Sequence, residues 1–129
     1  GEEHQYWVAG WNGKAWEATY VTNAGRQFPR ATPDDRRYEP CYSGGIVFDR
    51  ADPAAVYLSR PVGDVFEIER WWLSSQGINW VHEPVTAGSA MNNVRPCVPE
   101  GRADWGPEAL WMHGDYVHYA DFYTDIRIR

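Results

Sequence analysis

The sequence contains little lysine and no long apolar run. Lys14 is the one lysine among 12 basic residues, and the formal net charge is −6. Nucleic acid is therefore not an expected partner, because phosphate binding requires clustered Lys and Arg. No apolar run approaches the roughly 20 residues that span a bilayer, so no membrane partner is expected either. No secretory leader is recognisable, and we expect either a mature chain or a piece of a longer one.

Cysteine is also scarce, with only Cys41 and Cys97 in the chain. Neither belongs to a C-x-x-C pair, which excludes a zinc site made from cysteine pairs, and we expect no cofactor in this chain. A Cys41–Cys97 disulfide would close a long loop and contribute about 4 kcal/mol in the chain-entropy picture, if its geometry is unstrained. Two unpaired, buried thiols are the alternative, and the sequence leaves both interpretations open.

Helical periodicity is absent from every long segment. Short apolar and β-branched runs alternate instead with Gly, Pro, Asn and Asp clusters, a pattern typical of many short strands. Asn12-Gly13 predicts a tight hairpin turn, and a second turn is expected at Gly114-Asp115. The chain is therefore expected to be all-β, with strands over residues 6–9, 16–22, 45–49, 55–59, 65–73, 80–85, 94–98, 109–113 and 117–126.

The expected strands group as two, four and three. A faint internal repeat supports this grouping, since a glycine turn precedes a strand-opening Trp both at Trp16 and at Trp80. Repeated four-stranded antiparallel sheets are the blades of a β-propeller, which needs about four to eight of them to close. We therefore expect a partial propeller of about two blades: outer strands in 1–22, a full blade in 42–86, and a final blade without its last strand in 93–129.

Aromatic residues make up 16% of the chain, including eight Trp and eight Tyr. Aromatics favour strands, and their flat faces are also surfaces on which sugar rings stack. For any single Trp, packing in the core is the alternative interpretation.

Several short motifs in the second part of the chain resemble BNR-repeat (sialidase-like) β-propellers, of the kind found among ulvan lyases, rhamnose–glucuronate lyases and related rhamnosidases. The resemblance covers about residues 38–126 and implies a seven-bladed ring whose remaining blades come from a missing or separate chain. The motifs follow one another in order as Tyr42-Ser43-Gly44-Gly45-Ile46, Asp52-Pro53, Val56-Tyr57-Leu58-Ser59, Phe66-Glu67-Ile68, Asn93-Val94-Arg95-Pro96 and Trp111-Met112-His113-Gly114-Asp115-Tyr116.

This resemblance implies a secreted or periplasmic protein that cleaves an acidic polysaccharide of rhamnose and uronate by β-elimination. An α-L-rhamnosidase-type hydrolase and a non-catalytic glycan-binding propeller are the alternatives. A structural calcium or zinc elsewhere in the full ring is compatible with this expectation.

Elimination at a uronate requires a group that neutralises the carboxylate and groups that move protons. Arg binds carboxylates through paired charge-assisted hydrogen bonds, and His or Tyr can act as general base or acid. We expect His113 and His118 to flank the turn at Gly114-Asp115 and to meet across a strand pair. Surface histidines, packed tyrosines and structural ion pairs are the alternatives. The expected catalytic residues are Tyr42, His113, Tyr116 and His118, and the expected substrate-binding residues are Arg60, Asn93 and Arg95.

Overall fold

The computed structural model describes residues 3–29, 31–77, 79–101 and 106–129, which contain nine strands and no helix. Within these ranges no helix is long and apolar enough to cross a membrane. The predicted all-β class is therefore confirmed. The strands are β1 (His4–Trp11), β2 (Trp16–Gly25), β3 (Ile46–Phe48), β4 (Ala55–Val62), β5 (Val65–Leu73), β6 (Trp80–Pro84), β7 (Asn92–Cys97), β8 (Leu110–His118) and β9 (Asp121–Ile128).

The strands form three antiparallel sheets, in the orders β1-β2, β3-β4-β5-β6 and β7-β8-β9. Each sheet joins strands that follow one another along the chain, so short turns fix most of the pairing. The turn from β1 to β2 is held by Asn12, whose side-chain oxygen accepts hydrogen bonds from the backbone N–H groups of Lys14 and Ala15, both at 2.9 Å.

The four-stranded sheet is covered on both faces. Because side chains alternate along a strand, β4 places Val56 and Leu58 on one face and Tyr57 on the other. Val56 and Leu58 pack with Tyr6 of the β1-β2 hairpin, whereas Tyr57 packs with Trp111 of the three-stranded sheet. The three sheets are therefore stacked in chain order, and the apolar run over residues 55–58 of β4 is explained by burial on both sides.

The hairpin has one buried and one exposed face. Tyr6 points inward, where its hydroxyl donates a hydrogen bond to the Ser59 carbonyl and accepts one from the Gly45 N–H, both at 2.8 Å. The opposite face carries the cross-strand pairs Trp7–Tyr20, Ala9–Ala18 and Trp11–Trp16. Its four aromatic rings are all exposed.

The prediction of a turn at Gly114-Asp115 is wrong. Strand β8 runs without interruption through both residues, and the turn to β9 lies at residues 119–120. Gly114 has a φ of 137°, and a Cβ there would lie 2.3 Å from the Tyr123 carbonyl oxygen of the neighbouring strand. The glycine thus serves close backbone approach within a sheet rather than a turn. His113 and His118 consequently lie on one strand, where they pair with Asp125 and Asp121, and do not face each other.

Candidate functional site: a cleft around Arg95

A cleft of about 480 Å³ opens between the chain segment that precedes β3 and the end of β7. The predicted residues Tyr42 and Arg95 both line it, together with Cys41, Gly45, Pro96 and Cys97. The structure thus brings together two residues that are far apart in the sequence and were assigned separately to catalysis and substrate binding.

Arg95 has a left-handed backbone conformation, with a φ of 57°. It is the one non-glycine residue with positive φ in the described part of the chain, and that conformation costs about 1–2 kcal/mol. Its N–H donates a 2.6 Å hydrogen bond to the Gly44 carbonyl. A Cβ on Gly45 would lie 3.3 Å from the Arg95 Cα, so the Gly44-Gly45 pair permits this close approach. Strain of this kind, held by its surroundings, is concentrated at functional positions.

The Arg95 side chain lies among aromatic rings. Its guanidinium carbon is 5.4 Å from the centre of the Tyr42 ring. The Tyr42 and Tyr116 rings are stacked at 6.5 Å, and Phe28 packs 4.7 Å from Tyr116. Cation–π contact and ring packing leave the guanidinium few alternative positions, which prepares it to bind an anion.

Tyr116 is kept in its neutral form near physiological pH. Burial raises the pKa of its phenol above the ordinary value of 10.0, and the neighbouring Tyr42 adds to this effect while Arg95 opposes it. Tyr116 therefore places a protonated phenol near the positive charge of Arg95, although its side chain is only 3% exposed and does not line the cleft.

His118 and Glu39 lie next to this cluster. The His118 Nε2 is 3.9 Å from one Glu39 oxygen, Oε1. The other oxygen, Oε2, is buried and has no hydrogen-bond partner among the described residues. Glu39 could not be selected from the sequence, because it stands in a polar loop segment whose position beside His118 depends on tertiary packing.

Asn93 and His113 form a second group, and both were predicted as site residues. The Asn93 Oδ1 accepts a hydrogen bond from the Trp111 Nε1–H and contacts the His113 Nδ1, both at 2.9 Å. Because the indole can only donate, this atom is the amide oxygen, and the His113 Nδ1 must carry the hydrogen. In the neutral ring, Nε2 is then the unprotonated nitrogen.

The Asn93 amide is itself held by a buried carboxylate. Glu67 accepts hydrogen bonds from the Asn93 Nδ2 at 3.0 Å, from the Ser89 N–H at 2.7 Å and from the Ser89 and Thr86 hydroxyls. Each polar atom of Asn93 thus has a protein partner, which suits positioning of His113 better than direct substrate binding. Glu67 was not predicted as part of a site.

Arg60 does not line the cleft. It forms a two-pronged pair with Glu69, at 2.7 and 3.0 Å, and its guanidinium lies 5.6 Å from the Trp71 ring. Trp71 also donates a hydrogen bond to Glu69 at 2.8 Å. Arg60 is therefore engaged in an ion pair between β4 and β5, the alternative considered for it.

Cys41 and Cys97 form no disulfide in the structure, and both thiols are exposed rather than buried as the alternative interpretation expected. They lie in the two chain segments that border the cleft. No group of three His, Cys, Asp or Glu residues in the described ranges could hold a metal ion. Comparisons with protein-family profiles, with curated proteins and with solved structures each find no match to this chain.

Proposed function

We propose that the cleft around Arg95 binds the carboxylate of a uronate in an acidic, rhamnose-containing polysaccharide and promotes β-elimination. The observation that carries the proposal is Arg95 itself, a cation in a strained backbone conformation, held over the Tyr42 ring, which in turn stacks on Tyr116. A guanidinium binds a carboxylate through two parallel hydrogen bonds, and the neutralised carboxylate makes the C5 proton easier to remove.

The proposed reaction breaks the C5–H and C4–O bonds and forms a C4=C5 double bond. A general base takes the C5 proton, and a general acid protonates the departing oxygen. Tyr116 suits the acid, because its raised pKa keeps the phenol protonated at neutral pH. Tyr42 is the proposed base, since its ring lies against the guanidinium that would hold the carboxylate.

We further propose that the three stacked sheets are consecutive blades of a larger propeller in a secreted or periplasmic protein. Support comes from the stacking of the sheets in chain order and from the exposed apolar side chains on the outermost strands. Additional sheets, from another part of the protein or from another chain, would cover those side chains.

The test is incubation of the protein with uronic polysaccharides while the ultraviolet absorbance of the unsaturated product is followed. We expect product from the native protein, and a loss of at least about 30-fold in activity and uronate affinity for Arg95→Ala. Tyr116→Phe should lower kcat with little change in KM. Arg127→Ala, which alters an exposed arginine paired with Asp125, is the matched control and should leave both the activity and the uronate affinity unchanged.

Two outcomes would contradict the proposed elimination, and a third would contradict its proposed site. Release of reducing ends without unsaturated product would indicate the hydrolase, and binding without any product would indicate a glycan-binding module. Full activity in Arg95→Ala would show that the cleft is not the active site.

A further inference from the structure

A second groove, of about 570 Å³, lies between the closed end of the β1-β2 hairpin and one end of the four-stranded sheet. Two aromatic residues of the four-stranded sheet, Phe48 and Trp80, line it, and Trp11 lies at its hairpin end, on the opposite face of the hairpin from Gly10 and Glu17. Its volume falls within the range of about 300–1,000 Å³ that is typical of small-molecule sites. It is lined by strands and turns of the first two sheets, and it shares no lining residue with the Arg95 cleft.

The rings of this groove are held in place. The Trp80 Nε1–H donates a 2.8 Å hydrogen bond to the Tyr20 carbonyl on β2, which joins the two sheets. Phe48 is the last residue of β3 and is 49% exposed, so its ring is open to a ligand. Exposed rings that do not have to be ordered on binding lose little conformational entropy when a ligand stacks on them.

One end of the groove is polar. Glu17 is the single charged side chain among its described lining residues, and the Asn12 amide donates a hydrogen bond to one of its oxygens, Oε1. The carboxylate is thus fixed in place, with lone pairs left to accept hydrogen bonds from a ligand. Covering it with an apolar protein surface would leave a charge without adequate partners, which is costly.

We propose that this groove binds a neutral pyranose residue, which stacks on the aromatic rings and donates a hydroxyl hydrogen bond to Glu17. A sugar ring presents an apolar C–H face and a hydroxyl edge, which match the aromatic walls and the carboxylate. An acidic sugar is disfavoured, because its carboxylate would meet the like charge of Glu17 without a lining cation to offset it. The groove therefore favours a neutral sugar, whereas the proposed Arg95 site favours an acidic one.

Gly10 provides a sharp test of this site. It lines the groove opposite Glu17 on the hairpin, and a Cβ at this position would meet no described atom within 4 Å. Gly10→Leu would therefore fill the groove without displacing its walls. Ala18 is exposed on the other face of the same hairpin, so Ala18→Leu is the matched control.

The experiment titrates the native chain with methyl glycosides of glucose, galactose, xylose and rhamnose and with methyl glucuronide, monitored by tryptophan fluorescence and NMR. We expect at least one neutral glycoside to bind at least tenfold more tightly than the glucuronide. Gly10→Leu and Phe48→Ala should each weaken neutral binding at least tenfold, while Ala18→Leu and Arg95→Ala leave it unchanged. Retained binding in Arg95→Ala separates this site from the proposed uronate cleft.

Glu17→Gln keeps the shape of the side chain and removes its charge, so it tests the selectivity without risk to the fold. It should bring the affinity for methyl glucuronide to within about threefold of that for methyl glucoside. Equal binding of neutral and acidic glycosides by the native chain, unchanged binding in Gly10→Leu, or binding of none of these glycosides would each overturn the proposal. So would a groove whose NMR signals shift only with protein concentration, since that would identify a second copy as the occupant.

Discussion

At the scale of single residues, the positive φ of Arg95 allows the cost of its backbone conformation to be tested separately from the role of its side chain. Arg95→Ala keeps a Cβ in the left-handed conformation, whereas Arg95→Gly adopts that conformation without a steric penalty. Both variants lose the guanidinium and its contact with Tyr42. We therefore expect Arg95→Gly to be more stable than Arg95→Ala by about 1 kcal/mol, while both lose uronate binding.

Urea denaturation of the two variants gives that difference directly. Equal stability, or a more stable Ala variant, would show that residue 95 has an ordinary backbone conformation in solution. A loss of uronate binding in both variants would show that binding needs the guanidinium. The predicted stability order would show that residue 95 holds a strained backbone conformation.

Tyr6 offers a second prediction at this scale. Its hydroxyl connects the Ser59 carbonyl to the Gly45 N–H, and its side chain is only 4% exposed. Tyr6→Phe removes the hydroxyl and leaves a buried donor unsatisfied, so the free energy of unfolding should fall by about 1–3 kcal/mol. Tyr20→Phe is the control, because the Tyr20 hydroxyl bonds Asn23 at an exposed position; its effect should stay within about 0.5 kcal/mol. Equal effects of the two substitutions would contradict the role of Tyr6.

The sequence allowed the site to be predicted only in part, and the reason differs from residue to residue. Tyr42 and Arg95 stood in distinctive short motifs and do line one cleft. Arg60 stood in a similar context, yet its partner Glu69 becomes a neighbour only through the pairing of β4 with β5. Glu39 carried no local signal, and Glu67 stood in a short motif that did not mark its carboxylate as part of a site, because the importance of both arises from the chain segments that fold against them.

At the scale of secondary structure, local patterning was sufficient to predict the strands. The predicted strand over residues 65–73 coincides with β5, since its alternation and its bounding turns are both local features. Gly114 shows where this fails. Gly-Asp is a common turn dipeptide, but Gly114 lies within β8 because the neighbouring backbone at Tyr123 leaves no room for a Cβ.

The close approach at Gly114 gives a prediction for the β8-β9 pair. Gly114→Ala would place a Cβ 2.3 Å from the Tyr123 carbonyl oxygen, at a φ of 137°, so strands must shift. We expect a loss of about 2–4 kcal/mol in the free energy of unfolding, combining backbone strain with displacement of the strand. Gly10→Ala, also within a strand but with open space at its Cβ, should be neutral or stabilising by up to about 1 kcal/mol. Similar denaturation curves for the two variants would contradict the β8-β9 geometry.

At the scale of the whole molecule, buried phenols connect stability to alkaline pH. Burial raises the pKa of Tyr6, Tyr57 and Tyr116 above 10.0 in the folded chain. A group with a raised folded pKa contributes stability that is complete below its unfolded pKa and is lost as the pH rises through the folded one. The free energy of unfolding should therefore decline above about pH 10, with a limiting slope of about 1.4 kcal/mol per pH unit for each such phenol.

Chemical denaturation at several pH values between neutral and strongly alkaline checks this expectation. Tyr6→Phe removes one of the three phenols, so its stability should decline less steeply than that of the native chain. A native chain whose stability is constant through the alkaline range would show that these phenols titrate normally when folded.

The stacking of three sheets leaves the two ends of the stack without cover. Trp16 at one end is 70% exposed, and Ile126 and Ile128 on β9 are 62% and 64% exposed. Strand β9 is also the edge of its sheet, so its unpaired backbone can accept a further strand. Exposed apolar faces and open edges of this kind mark interaction surfaces, and the proposed further blades would occupy them.

The isolated chain should therefore associate with itself as its concentration rises, which light scattering measures. Ile126→Lys adds a charge to the exposed edge strand, so it should reduce this association while changing stability by no more than about 0.5 kcal/mol. Lys14→Arg, a charge-conserving change at the hairpin turn, is the control and should associate like the native chain. A compact native monomer at every concentration would contradict the proposed larger ring, because the uncovered apolar side chains would then be an ordinary part of a complete surface.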